Sequence, residues 1–314
     1  MSNSENDLQK HLIKFALHQQ KFSDKRVEEI SSTLSQLQIF KKFNFSIEVI
    51  LDNKKKSIKF TELQIIKLKG IQNALYLSKD IRESWIKYFT HSYVLRQDEN
   101  ISAISLEDLE MNPIMIRSFN LNDPKKLLDF FVGALFYRSV VTSLGNFLES
   151  MLAHGHSGVR PGNPKEWYDV VKEKDGITYP MQIKSGPNNI DKDQMKEAFN
   201  QKFNRDETDT VKPKLGWLYG SRERGSMSFT HAQAYLDNWE ERLLIGPELW
   251  NFVADEKDFH KKVIKWVTEV GILLGTEHPI HEEIEKVVTN LLPKFIHKYG
   301  DGKNGVTKYI EEIF

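Results

Sequence analysis

The thirty residues PKKLLDFFVGALFYRSVVTSLGNFLESMLA, Pro124 to Ala153, restrict the fold more than any other stretch. Asp123 and Pro124 supply a cap and a first-turn residue for a helix, and no second proline follows within it. The segment is apolar on most sides, and such a helix has to be covered by other elements. Burial among further layers is therefore expected. Its run LLDFFVGALF is about half the length of a membrane span, so the cover is expected to be protein. Val140, Val141, Leu144, Phe147, Leu148 and Met151 keep helical spacing, and Glu149 stands beside that stripe. An acid there is more often a boundary residue than a ligand.

The rest of the 314 residues is enough for one large domain or two modest ones. Before the apolar helix, Leu8, Leu12 and Phe15, then Val27, Ile30, Leu34 and Leu37, predict two helices separated at Ser23 and Asp24. SIEVILDNKKKSIKF predicts a short hairpin with its lysines at the turn. Thr61 and Gln64 fit a capping box that opens a helical region, and RQDENISAISLEDLEMNP reads as a linker or loop. After the apolar helix come a glycine-rich loop, HGHSGVRPGNPKEW, two strands, a polar helix from about Asp191 to Asn204, and a short buried strand in KPKLGWLYGS. From ERLLIGPELWNF onward the chain reads as mostly helical.

Composition excludes several chemistries. There is no cysteine, hence no disulfide, thiolate nucleophile or cysteine zinc site, which agrees with a reducing compartment. The opening MSNSENDLQKHLIKF has no basic stretch followed by an apolar one, so a signal peptide is not expected and a cytoplasmic protein is. HPIHEEIE lacks the second histidine of a zinc-protease helix, GHSGV is no serine-hydrolase elbow, and no phosphate-binding glycine loop occurs. Lys+Arg and Asp+Glu balance at 44 each, so only local clustering bears on a nucleic-acid partner. Lysines gather between Lys41 and Lys69, including Lys54, Lys55 and Lys56, either as a DNA-backbone contact or as a solvated face.

Chemistry concentrates in WYDVVKEKDGITYPMQIKSG, Trp167 to Gly186, two short strands around a charged turn. Asp169 lies inside the first strand, and Gln182 and Lys184, two apart, point to one face of the second. With Glu149 on the preceding helix, the order is α-β-β-α, which gathers acids and a lysine at one point of a sheet. Phosphodiester hydrolysis needs such a set. Carboxylates hold magnesium, which stabilises charge on the non-bridging and leaving oxygens. In that reading Asp169 and the main-chain carbonyl of Ile183 are metal ligands, Lys184 holds the attacking water, and Glu149 binds a second ion or an outer-shell water.

Asp169, a twelve-residue gap and Gln182-Ile183-Lys184 resemble the PD-(D/E)XK nucleases. The longer runs NPIMIRSFNLNDPKKLLDF, SLGNFLESMLAHGHSG, PMQIKSGPNNIDKDQ and GWLYGS are similar to type II restriction endonucleases that cut interrupted GG/CC (GGNCC-like) palindromes, over roughly Met111 to Tyr299. The resemblance implies an α/β, mixed and helix-rich fold: a restriction-endonuclease-like α-β-β-α core with a mixed central sheet and helical N- and C-terminal additions. It implies a nuclease catalytic domain over 106–314, preceded by a mostly helical region over 1–105 for DNA backbone contact or dimerisation. It further implies a prokaryotic cytoplasmic homodimer that uses Mg2+, cuts both strands of duplex DNA in defence against foreign DNA, and is paired with a cognate DNA methyltransferase. The family pattern usually has Glu or Asp where this chain has Gln182, an amide that coordinates magnesium without charge. Some members of the superfamily carry glutamine there; Glu149 is a candidate for the missing charge, as are Glu173 and Asp175, although these two sit in the turn, where a solvated place is the better expectation.

DNA contacts are expected from His156, Ser157, Arg160 and Lys165 in the glycine-rich loop and from Asn188, Asn189 and Lys192 after the second strand. A flexible loop accounts for His154 and His156 better than a metal pair, and a helix cap accounts for Asn188 and Asn189 equally well. A repair or recombination nuclease on the same core, a DNA-binding protein inactivated at Gln182, and a plain helical interaction protein are the rival readings.

Overall fold

A computed structural model of the chain describes residues 46–51, 54–59, 70, 74, 78, 80–163, 165–186, 190–277 and 280–313. The expected helices before Phe40 and the capping box at Thr61 lie outside them. Seven strands are described: β1 (Ser46–Leu51), β2 (Lys54–Lys59), β3 (Val159–Pro161), β4 (Val170–Lys174), β5 (Ile177–Lys184), β6 (Lys214–Trp217) and β7 (Leu243–Ile245). The helices are α1 (Ile81–Ser102), α2 (Pro113–Ser118), α3 (Pro124–Ala153), α4 (Gln201–Asp206), α5 (Met227–Tyr235), α6 (Trp239–Arg242), α7 (Pro247–Ala254), α8 (Phe259–Glu277), α9 (Ile280–Tyr299) and α10 (Gly302–Ile313). The fold is mixed α/β and helix-rich, and the expected α-β-β-α order is extended by one strand, β3, between α3 and the two expected strands. Two compact units divide it, one comprising the chain to Ser92 with Asn146–Thr268, the other Tyr93–Gly145 with the chain from Glu269.

The first unit carries a five-stranded sheet in the order β3-β4-β5-β6-β7. β3, β4 and β5 pair antiparallel, whereas β5, β6 and β7 pair parallel. The turn between β4 and β5 is Asp175-Gly176, with φ of 51° and 77°, and it pairs Lys174 with Ile177. Two residues at positive φ make the hairpin turn whose twist matches the strands, and Asp-Gly is the dipeptide that adopts it most readily. Parallel neighbours need a crossover. Between β5 and β6 it is a π-helical stretch, Gln194–Asn200, running into α4.

Both faces of the sheet are covered. Val170, Met181 and Ile183 join Trp85, Met151, Leu152, Leu249, Phe259 and Trp266 on one side. Leu215, Trp217, Leu243 and Ile245 join Met195, Phe199, Phe203 and Leu236 on the other. A Cβ at Gly216 would lie 2.9 Å from both δ carbons of Leu249 and from Cδ1 of Ile183, so α7 meets β6 this closely only because residue 216 is glycine. β1 and β2 form a separate antiparallel pair with Leu51 opposite Lys54. Lys54, Lys55 and Lys56 thus begin β2 and do not form the turn.

The second unit packs Ile116, Leu127, Leu128, Phe131 and Val132 against Val287, Leu291, Phe295, Val306 and Tyr309. RQDENIS, read as linker, is instead the last part of α1. Its polar residues serve as interhelical donors: Gln97 Nε2 donates to Ser143 Oγ at 2.8 Å and Asn100 Nδ2 to Ser139 Oγ at 3.0 Å, while the Tyr93 hydroxyl donates to the Val140 carbonyl at 2.9 Å. The expectation that α3 is buried on most sides is also corrected. Its two ends are buried, but among the described residues Tyr137 is 70% exposed and Val141 48%. By length and hydropathy α3 matches a spanning helix, as core helices also do; its ends contribute Leu127, Leu128 and Met151 to protein cores.

Two strands escaped the sequence reading. β3 lies in the glycine-rich segment and β7 in ERLLIGPELWNF, each three residues long. Three residues carry no periodicity, and a continuous apolar triplet such as Leu243-Leu244-Ile245 is equally at home in a helix.

One buried charge fixes β4. Lys172 is 1% exposed, and its Nζ donates to the carbonyls of Ser157 at 2.8 Å and Val253 at 3.1 Å and to the Asp255 carboxylate. Asp255, at φ 52° after α7, also accepts from Lys174 at 2.6 Å. Asp255 is exposed, so removing its carboxylate takes one charged partner from a buried ammonium that keeps its two carbonyl acceptors. Asp255→Ala should therefore cost about 1.5 kcal/mol of unfolding free energy, and most of that loss should vanish when Lys172→Met is already present, as read from a denaturant double-mutant cycle.

Candidate active site

β4 and β5 stop pairing at Val170 opposite Met181, and the residues just past that point form the site. Asp169 is clamped by its main chain. Its N–H donates to the Met181 carbonyl at 2.9 Å, and its own carbonyl accepts from the Gly162 N–H at 2.7 Å. The approach is close enough that a Cβ on Gly162 would meet the Tyr168 carbonyl oxygen at 2.1 Å. With the backbone fixed, the Asp169 carboxylate faces the free edge of β5. Its Oδ2 accepts from the Ile183 N–H at 2.7 Å and from the side-chain amide of Gln182.

Strand alternation separates the neighbours. Met181 and Ile183 are buried in the core, while Gln182 and Lys184 are half-buried on the opposite face. Lys184 Nζ stands 5.8 Å from the centre of the Phe199 ring, at the far end of β5 from the Asp-Gly turn. Glu149, four residues before the end of α3, is half-buried beside them. Its carboxyl is pushed up to about 7, first by burial and then by the charge of Asp169, against a smaller opposing effect of Lys184. Burial also raises Asp169 and outweighs the Ile183 N–H, Lys184 and Gln182, which act to lower it. Asp169 owns hydrogen-bond donors and Glu149 has fewer compensations, so the shared repulsion falls on Glu149.

The chemistry of this donor set fits a hard divalent cation. Two carboxylates, an amide oxygen and a main-chain carbonyl are all oxygen ligands, and the repulsion that lifts Glu149 is what a bound cation relieves. Among the described residues, no three His, Cys, Asp or Glu cluster closely enough to make a metal cage from protein alone. The remaining ligands would be water, as magnesium prefers.

Of the expected DNA-contacting residues, Arg160 and Lys192 are exposed, Arg160 standing 3.8 Å from Glu173 and Lys192 Nζ 5.3 Å from the Tyr235 ring centre. Ser157 is exposed and lends its carbonyl to Lys172. Lys165 is exposed. Asn188 and Asn189 lie outside the described residues, and Lys54, Lys55 and Lys56 belong to β2. His156 is corrected: it is 5% exposed, edge-on to Phe259 at 5.3 Å, and burial with the nearby Arg82 charge lowers it to about 3. A neutral, enclosed imidazole cannot serve as a DNA contact. His154 is held between Trp85 and Phe89 with Nδ1 2.8 Å from the Ser150 carbonyl, so the two histidines make no metal pair. Glu173 and Asp175 sit at the turn end of the hairpin, with Glu173 accepting from Thr178 at 2.8 Å, and neither replaces the charge absent at Gln182. The grip of the Ile183 N–H and the Gln182 amide on Asp169 was not foreseen; it depends on where β4 stops pairing, which no local pattern records.

A search of curated proteins finds no match. The family model described as type II restriction endonuclease EcoO109I matches residues 79–270, more than half of the chain and all of the sheet with Glu149, Asp169, Gln182 and Lys184. The chain belongs to the EcoO109I family of type II restriction endonucleases.

Proposed function

We propose that this nuclease hydrolyses both strands of duplex DNA at a short palindromic, interrupted GG/CC site, with Mg2+ as cofactor. The observation that carries the reading is the Asp169 carboxylate fixed by the Ile183 N–H, with Lys184 on the adjoining strand and the half-buried Glu149 beside them. Asp169, Glu149, the Gln182 amide oxygen and the Ile183 carbonyl are the residues that would hold the cation. Bound there, magnesium would supply Lewis-acid stabilisation of charge at phosphorus and lower the pKa of water.

The protein's own groups do the positioning. The Ile183 N–H keeps one oxygen of Asp169 fixed and leaves the other to a ligand. Gln182 presents its NH2 to Asp169, so its oxygen is turned elsewhere and available. Lys184, at the end of β5, holds a water in line with the phosphate and donates to it or to a non-bridging oxygen. Glu149, beside Asp169, would hold a second ion or an outer-shell water.

A palindromic target is read with twofold symmetry, hence a homodimer. The enzyme would act in a prokaryotic cytoplasm beside a cognate DNA methyltransferase. The catalytic domain proposed for residues 106–314 would also need α1, whose Trp85 lies in the core of the sheet, and the β1–β2 lysines would contact the DNA backbone or a second subunit. Arg160, Lys165 and Lys192 are further candidates for phosphate contacts.

Two outcomes test the assignment. Lys184→Ala should lower the cleavage rate of plasmid DNA in magnesium by roughly a thousandfold while leaving duplex affinity in calcium near wild type; full activity in that variant would sink it, and EDTA should stop wild-type cleavage. The second concerns protons. A carboxyl held at about 7 in the folded protein and near 4.5 unfolded binds its proton more tightly when folded, so its contribution to stability is full below 4.5 and is lost as pH rises through about 7. Metal-free wild type should therefore lose stability relative to Glu149→Gln between pH 5 and pH 8, measured by denaturant unfolding in EDTA. A constant difference between the two would contradict the burial of that carboxyl.

A further inference from the structure

Tyr219 is 56% exposed, although Trp217 and Leu218 before it are buried. β5 and β6 run parallel with Lys184 opposite Trp217, and the Leu218 N–H donates to the Lys184 carbonyl at 3.0 Å. Continuing that register sets Tyr219 beside Gly186, two residues beyond Lys184. The side chain lies there in fact: a Cβ built on Gly186 would be 2.2 Å from Tyr219 Cζ and 2.4 Å from its hydroxyl oxygen. The tip of the ring rests on bare backbone, and Gly186 is buried beneath it. Trp217, the last residue of β6, lies opposite Lys184, the last residue of β5. Gly220, at φ 118°, then turns the chain away.

A surface tyrosine seated in this way has no part in the core clusters, and its hydroxyl makes no hydrogen bond among the described residues. What it does have is a seat against the backbone of Gly186, two residues beyond Lys184. Tyrosine hydroxyls are among the groups that donate to DNA phosphate oxygens, and a ring held against glycine backbone loses little freedom when it does so. We propose that Tyr219 is a phosphate-contacting residue, its hydroxyl donating to a non-bridging oxygen of the DNA strand beside the phosphate that Lys184 serves. Gly186 is then the seat that sets the height of the ring, since any side chain there would displace it. The proposal rests on the nuclease reading for the location of the phosphate.

Tyr219→Phe keeps the ring and its seat and removes only the donor. Its dissociation constant for a plasmid-derived duplex, measured by fluorescence anisotropy in calcium, should rise roughly tenfold, as for loss of a hydrogen bond to a charged group. The slope of log Kd against log salt concentration should stay unchanged, because a neutral donor releases no counterion. Gly186→Ala should weaken binding in the same direction with an unaltered ring. Wild-type affinity in Tyr219→Phe would overturn the proposal, and so would a weakening that appears only in Tyr219→Ala together with a lowered Tm, since the ring would then merely cover Gly186. The binding assay needs no cleavage, so a wild-type protein that binds duplex in calcium and leaves it uncut in magnesium overturns the nuclease reading and still measures Tyr219. Absence of any duplex binding by wild type overturns both.

Discussion

Strand β5 pairs antiparallel with β4 on one edge and parallel with β6 on the other, and the site depends on that double role. The antiparallel side is local, closed by a two-residue turn, so Asp169 reaches Gln182 and Ile183 through a hairpin. On the parallel side a helical crossover brings Phe199 toward Lys184 and aligns β6 at its shoulder. A change of direction in the middle of a sheet leaves strand ends from both arrangements at one place. Because β4 stops pairing one residue after Asp169, the amide edge of β5 there is not consumed by the ladder and turns to the carboxylate.

The electrostatics follow from this scaffold. Two carboxyls near one another in a half-buried setting do not ionise independently. Burial raises both carboxyls; at Asp169 a main-chain N–H and an amide offset part of that rise, while Glu149 on the adjacent helix also takes up the repulsion of Asp169. Gln182 fits that division: a carboxylate in its place would put a second charge against Asp169, whereas the amide donates to it. Lys172 plays the opposite part, a cation whose partners are all structural and which ties β4 to the end of α7.

Much of this was legible in the sequence. Gln182 and Lys184 share one face of β5 as strand alternation predicts, the Asp-Gly turn is visible in KDGI, and α3 is announced by Asp123-Pro124, whereas Asp169, expected inside the first strand, lies one residue before β4 begins. What could not be read depends on long-range pairing. β3 and β7 are too short for any pattern, and their strand character comes from neighbours distant in sequence. The polar end of α1 looks like linker because its partners, Ser139 and Ser143, lie about forty residues away. His156 looked accessible between glycines, yet Phe259, contributed by α8, encloses it. In each case local composition was overruled by a contact that only the folded chain creates.

The shortness of the outer strands has a consequence of its own. β3 offers three residues, one of them Pro161 without an N–H, and β7 offers three more. Neither edge presents enough free backbone to template an added strand, the usual route by which extended peptides or misfolded copies attach to a sheet. Whatever associates with this sheet, duplex or protein, is thereby confined to side chains and strand ends, and the end richest in chemistry is the one where β5 and β6 finish.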